Sequence, residues 1–311
     1  MASSVRVIAN RWVVGVCGLP VLMLALASVS SSASAQGMKL LHAERSLYRE
    51  VLVYEGRGVR CMCFTRDCRI GRQSCIETRR PNRIVMNYPQ MMLAALFVHP
   101  SPESVLIVGL GGGTIPRALR QVAPNARIEV VEIDPAVVSV AKEYFRFADD
   151  ANVRVIEADG RVYVKRALRE KRSYDLIMLD AFDHEYIPEH LLTRDFLQEV
   201  KALLKPNGVL AANTFSASRL YDHESVTYAA VFPVFFNLKR ENRVIIAVNG
   251  SLPSQEQLEE NSARFDDPFG KFGFSASRLL PLFETDADWD EEARVLTDQY
   301  SPANLLNRAG S

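Results

Sequence analysis

Polar features close four successive apolar runs in this chain. Val105-Leu106-Ile107-Val108 leads directly into Gly109-Leu110-Gly111-Gly112-Gly113-Thr114. Glycines let a backbone turn sharply and approach a ligand with no Cβ in the way, as a strand-to-helix turn does when it holds a nucleotide. Roughly twenty residues past Gly109, Val130-Val131-Glu132-Ile133-Asp134 closes the next run, where a carboxylate can accept from both ribose hydroxyls of a nucleoside. Glu157-Ala158-Asp159-Gly160 closes the third, placing an acid that can accept from an adenine amino group, and Asp180 closes the fourth, Tyr174-Asp175-Leu176-Ile177-Met178-Leu179. Together they suit an adenosine-type ligand in one crevice. A dinucleotide fits less well, because Thr114 stands where the G-x-G-x-x-G pattern has its last glycine. The bland alternative is a scaffold that keeps these turns and strand-end acids only for folding.

Delivering these groups to one place requires strands that alternate with helices. Strands are expected at 105–108, 127–133, 153–157, 175–179, 209–213 and 243–248, and helices at 88–98, 116–122, 136–144, 160–169, 193–204 and 225–232. That alternation implies crossover units and a parallel sheet covered on both faces, an α/β doubly wound, Rossmann-like domain over 88–250. Ahead of it, 36–87 reads as a small β domain, with strands at 48–54 and 60–64 broken by Gly56, Gly58 and Gly71. Its arginines (57, 60, 66, 69, 72, 79, 80 and 83) could form an anion-binding face, or a solvated edge that discourages strand-to-strand aggregation. The segment 251–311 is an acidic extension expected to pack on the sheet through Leu279, Leu280, Leu282 and Phe283. Its run Asp286 to Glu292 has Glu291 where a calcium loop needs glycine, so no metal is expected.

The N-terminal 1–35 has the three parts of a secretory signal: Arg6 and Arg11, an apolar stretch from Trp12 to Val29, and Ala33-Ser34-Ala35. The expectation is export, periplasmic or secreted, with cleavage before Gln36; the alternative is an uncleaved segment anchoring the chain in a membrane. Of five cysteines, Cys17 lies in the signal, and Cys61, Cys63, Cys68 and Cys75 crowd into one stretch. Two disulfides are expected, in any of three pairings, since the spacing matches no familiar zinc site. Across all 311 residues, 37 basic and 37 acidic side chains cancel. Such a chain has no field to hold a polyanion, so nucleic acid is not an expected partner. Apolar residues at 48% exclude disorder. A homo-oligomer is compatible with this composition.

The same residues resemble the spermidine synthase (polyamine aminopropyltransferase) family. The similarity covers roughly 47–248 and rests on Ser46-x-Tyr48, Tyr88-Pro89-Gln90-Met91, Gly111-Gly112-Gly113, Val131-Glu132-Ile133-Asp134, Ala158-Asp159-Gly160 and Asp180-Ala181-Phe182-Asp183. Thr193-x-x-Phe196 and Leu204-Lys205-Pro206-Asn207-Gly208-Val209 are similar to the helix and strand that follow in that family. Generic class I methyltransferases share the loop and Glu132 but not the D-x-x-D tetrad. The resemblance implies a class I methyltransferase-like Rossmann domain behind a small β domain. It implies decarboxylated S-adenosylmethionine as a co-substrate, with no permanently bound cofactor, and a polyamine such as putrescine as acceptor. Asp180 would then be the base, since the acceptor amine must lose a proton before attacking the carbon beside the sulfonium. Asp183 would help bind the amine, Glu132 the ribose, and Asp159 with Gly160 the adenine. Gly109, Gly111, Gly112, Gly113 and Thr114 would form the donor loop, and Tyr88 and Gln73 would line the donor or amine channel.

The chain departs from that pattern in three places. Thr114 replaces the acid that grips the donor's amino group, His184 replaces the proline after the tetrad, and Tyr88-Pro89-Gln90 lacks the family's acid. His184, with Glu185 beside it, could supply a substitute base or be an ordinary loop histidine. Two other functions remain open at this point: methyl transfer from S-adenosylmethionine, and an exported, non-catalytic binding protein on the same fold.

Overall fold

The computed structural model describes residues 37–69, 71–181, 188–214 and 220–308. The expected signal segment, and Asp183, His184 and Glu185, lie outside the described residues.

The N-terminal sheet is an antiparallel meander of β1 (Lys39–Arg45), β2 (Glu50–Gly56), β3 (Val59–Cys63) and β4 (Arg72–Glu77). The two-residue turn Arg57-Gly58 joins β2 to β3 with both φ positive (52° and 78°), the twist that a tight hairpin requires. Side chains alternate between faces. Val51, Val53, Met62 and Ile76 pack on Val137, Val140 and Phe145, while Leu52 lies on the other face with the cysteines. The cysteines pair as Cys61–Cys75 across β3 and β4, and as Cys63–Cys68. Of the arginines in this stretch, Arg60, Arg66, Arg69, Arg80 and Arg83 are ion-paired to Glu55, Glu50, Asp67 and Glu77, the arrangement of a solvated edge.

There follow α1 (Asn87–Leu93), α2 (Ala95–Val98), β5 (Ser104–Val108), α3 (Thr114–Val122), β6 (Arg127–Glu132), α4 (Pro135–Tyr144), β7 (Val153–Glu157), α5 (Gly160–Arg169) and β8 (Tyr174–Leu179). The chain continues through α6 (Arg194–Leu203), β9 (Leu204–Thr214), α7 (Leu220–Ala229), β10 (Phe235–Lys239), β11 (Arg243–Val248), α8 (Gln255–Ala263), α9 (Asp266–Lys271) and α10 (Ala303–Arg308). The second sheet has the order β10-β11-β9-β8-β5-β6-β7, and β5 to β9 run parallel. β5 and β8 are buried at every residue, which is why 105–108 and 176–179 read as unbroken apolar runs. Order reverses between β5 and β8, so the crevice beyond their carboxyl ends is the switch point where such sheets bind ligands.

The structure adds β1, β4 and β10, which the sequence did not mark, and three further features differ from the sequence expectation. The sheet is not wholly parallel, because β11 pairs antiparallel with β9, and β10 with β11, through a short hairpin that has no crossover helix. The expected helix at 88–98 divides at Ala94, whose N–H turns back to Met91 O. The helix expected at 225–232 spans Leu220–Ala229; its buried Glu224, Ser225 and Thr227 interrupt the apolar period that would have marked it. In the C-terminal segment, Leu258, Phe265, Phe269, Phe272 and Leu279 join the core on one face of the large sheet. There the ring of Phe283 stacks on Phe97 at 5.8 Å. The acidic run adds Asp288, bonded to Lys239 and Tyr221, and Trp289, stacked on Phe235 at 5.3 Å.

Candidate functional site

Strand register sets the level of the site. Val108 is opposite both Val131 and Leu179, so the residues that follow, Gly109, Glu132 and Asp180, leave the sheet together. Gly109 has φ +100°, and a Cβ on it would lie 2.1 Å from Asp180 O, so only glycine lets the end of β5 pass the end of β8. Gly111 and Gly113 also have positive φ, and Gly112 packs so closely on Ser74 that a Cβ would lie 2.6 Å from its Oγ. Thr114 opens α3, with its Oγ1 3.4 Å from Ser74 Oγ. A strand of the small sheet therefore braces the glycine loop.

Glu132 is held in place by main-chain donors. Its Oε2 accepts Leu110 N–H at 3.0 Å and its Oε1 accepts Asp134 N–H at 3.0 Å. Burial pushes its pKa up, against those two bonds and the charge of Arg49. Each carboxylate oxygen has a second lone pair, so a ribose hydroxyl can be accepted without releasing the loop. Asp134 caps α4 through Ala136 N–H and accepts Ser46 Oγ at 2.6 Å, which gives the Ser46 element a physical role in tying the small sheet to the large one.

Asp180 has the most perturbed carboxyl of the crevice. Burial, reinforced by the charge of Glu132, pushes its pKa up to about 7. Hydrogen bonds donated by Asn213 Nδ2, at 3.0 Å, and by the Tyr88 hydroxyl hold it from rising further. The same setting raises the Tyr88 phenol, through burial first and then the neighbouring Asp180 charge. An ionisable carboxyl poised near neutrality is suited to taking a proton and giving it up again. Tyr88 OH also lies 3.4 Å from the main-chain carbonyl of Gln73, so Gln73 meets this group through its backbone.

Asp159 caps α5 by accepting Val162 N–H through Oδ1, and its Oδ2 lies 2.9 Å from His190 Nε2. A Cβ on Gly160 would lie 2.6 Å from Val108 Cγ1, so this glycine permits close packing of α5 on β5. Ala158 N–H bonds Glu132 O at 2.9 Å, which sets the Asp159 turn beside the Glu132 turn.

The structure thus brings Gly109, Glu132, Asp180 and Tyr88 to one crevice, with Asp159 and Gly160 on the adjoining strand end. Asp183 lies outside the described residues. Sequence reasoning missed Asn213, Ser74 and His190. Asn213 ends β9, and the rule that strand ends carry polar groups would have found it; nothing local marks Ser74 or His190.

The Spermine/spermidine synthase domain model matches residues 87–237. A polyamine aminopropyltransferase of Vibrio vulnificus (strain CMCP6) is 45% identical over 292 residues, covering 92% of this chain and 98% of the relative. A probable spermidine synthase from Corynebacterium glutamicum shares the fold at TM-score 0.63 and 17% identity, covering 84% of this chain and 97% of that one. Human Methyltransferase-like protein 13, in complex with SAH, aligns at TM-score 0.53 and 25% identity, over 67% of this chain and 96% of that one. With this degree of identity over nearly the whole length of a relative, the chain belongs to the spermine/spermidine synthase family of polyamine aminopropyltransferases.

Proposed function

We propose that this crevice transfers an aminopropyl group from decarboxylated S-adenosylmethionine to a polyamine such as putrescine, with Asp180 as the base. The observation that carries the reading is the Asp180 carboxyl, held by Tyr88 and Asn213 at the switch point and raised to about 7. The donor arrives as a co-substrate. Glu132 accepts its ribose hydroxyls, Asp159 and Gly160 border its adenine, and Gly109, Gly111, Gly112, Gly113 and Thr114 form the loop beneath it. Thr114 offers a hydroxyl where the family has an acid, and the donor amino group meets a neutral acceptor there.

In the reaction the acceptor amine gives its proton to Asp180, and the freed lone pair attacks the methylene beside the sulfonium. The new C–N bond forms as the C–S bond breaks, and sulfur leaves with the electron pair as the neutral thioether of methylthioadenosine. Glu132 and Asp180 place negative charge beside a cationic acceptor, which favours its binding. Asp183, by its place in the tetrad, is assigned to the second amine, and Tyr88 and Gln73 to the channel.

Purified protein given putrescine and decarboxylated donor should yield spermidine and methylthioadenosine in equal amounts. Asp180→Asn should lower kcat by about 10²–10⁴-fold with the fold retained. Absence of methylthioadenosine with every diamine tried would sink the assignment, and tighter binding of the carboxylated donor by calorimetry would favour methyl transfer instead.

Export is part of the same proposal. It is supported by the pattern of Arg6, Arg11 and Ala33-Ser34-Ala35, together with two disulfides of the kind that persist in oxidising compartments. Mass spectrometry of the protein from its host should find a chain that begins at Gln36; an intact N-terminus in the membrane fraction would mean anchoring, and one in the cytosol would refute export.

A further inference from the structure

α3 also borders a second cleft, of about 310 Å³, walled by Pro81, Pro116 and Phe147 and rimmed by Arg117, Arg120 and Arg146. None of Tyr88, Glu132, Asp159 or Asp180 lines it. The cleft is distinguished by its charge balance. Arg120 is neutralised by Asp150 at 2.6 Å. Arg117 is not neutralised by any carboxylate among the described residues: its guanidinium donates to two main-chain carbonyls, Phe145 O and Pro81 O, each at 2.7 Å. Carbonyls satisfy hydrogen bonds of a guanidinium without cancelling its charge, and two bonds leave three of its five N–H donors unused. Arg146 is exposed and has neither hydrogen bond nor ion pair among the described residues. The nearby Asp149 is held by Lys142 at 2.6 Å.

This pair is set apart by burial beside a second cation rather than by lacking a carboxylate, since the exposed Arg72 and Arg240 also donate to main-chain carbonyls with no carboxylate partner among the described residues. In the small sheet Arg60, Arg66, Arg69, Arg80 and Arg83 each face a glutamate or aspartate at the solvated surface. Arg117 is instead half-buried with Arg146 as its charged neighbour, and both effects, burial first and then the like charge, disfavour its protonated form. A planar oxyanion relieves the two together, since a guanidinium fork matches carboxylate and phosphate oxygens and a shared counter-ion cancels the repulsion. The apolar walls suit a small hydrophobic body attached to that headgroup, and the volume is at the lower end for metabolite sites.

We propose that this cleft binds a small organic anion through a phosphate or carboxylate group held between Arg117 and Arg146. The site also touches the donor loop: a Cβ on Gly113 would lie 2.6 Å from the Phe147 ring, so one aromatic side chain backs the loop and walls the cleft. The proposal stands on this geometry alone and does not depend on aminopropyl transfer.

Phenylphosphate, benzoate and inorganic phosphate are the probes, titrated by calorimetry into the full chain at low ionic strength. Saturable binding of at least one is expected, and the tighter of the two aromatic probes identifies the headgroup. Arg146→Ala, at an exposed position, should weaken binding by about tenfold or more, while Arg169→Ala, an exposed arginine on α5, should leave it unchanged. Arg117→Lys, which keeps the charge and loses the fork, should also weaken it. No saturation by about 10 mM of any probe, or equal weakening by Arg146→Ala and Arg169→Ala, would overturn the proposal.

Discussion

Asp180 shows how strongly a position in space governs a carboxyl group. A free aspartate titrates near ~3.9, whereas this one is raised to about 7 by burial and by Glu132. As the base, Asp180 must be ionised, so kcat/KM should climb as pH passes through about 7 and level off above it. Stability has the opposite sign. The folded chain keeps this proton up to about pH 7 while the unfolded chain releases it near ~4, so the group's contribution to folding is full at low pH and is lost as pH rises through that window. Asp180→Asn removes the dependence, and its melting temperature relative to the parent should increase steadily between those limits in a series of thermal scans. Tyr88→Phe deletes a hydrogen bond to the ionised form, so the rising limb of the pH–rate profile should move to higher pH. An unmoved limb would mean that Tyr88 does not tune Asp180.

At the level of elements, the glycine turn and the paired cysteines carry the sharpest expectations. Gly109→Ala would add a methyl 2.1 Å from a main-chain oxygen at a φ of +100°, and backbone cannot yield as a flexible side chain can. A loss of about 2–4 kcal/mol is expected from urea denaturation, with donor binding abolished in whatever remains folded. Gly160→Ala would crowd the end of Val108 at 2.6 Å and meet Leu191 only at ordinary contact distance, with no backbone atom in the way, so it should cost less. Cys61–Cys75 closes a loop of 14 residues between β3 and β4, for which chain entropy gives roughly 3 kcal/mol. Reduction should therefore lower the melting temperature, and the double Cys61→Ser, Cys75→Ser variant should lose more than the pair Cys63→Ser, Cys68→Ser, whose loop spans only 5. If both doubles match the oxidised parent, the small sheet is held by packing alone.

Across the whole molecule, the C-terminal segment is part of the core. Phe269 is fully buried, with its ring 5.9 Å from Phe97 and 5.3 Å from Phe265. Phe269→Ala should cost about 3–5 kcal/mol and shift one cooperative transition; a separate early transition would show the segment folding apart from the sheet. Much of this architecture could be read from local signals. The apolar runs 105–108 and 176–179, the glycines after Val108 and the acids at 132, 159 and 180 follow from strand burial and turn chemistry, which act over a few residues. The antiparallel edge of β10 and β11 could not be read that way, because a buried strand has the same composition whichever way its neighbour runs. Nor could the neighbours of Asp180: Tyr88 and Asn213 reach it from distant parts of the chain, and burial of a carboxyl depends on everything packed around it. Composition and spacing alone were enough to mark β2, β3, β5 to β9 and β11 and the acids at 132, 159 and 180, but not β1, β4 or β10. Folding decided which of those acids is desolvated, which is braced by main-chain amides and which arginines are left without a counter-charge, because solvation and Coulomb energy depend on distances through space rather than along the chain.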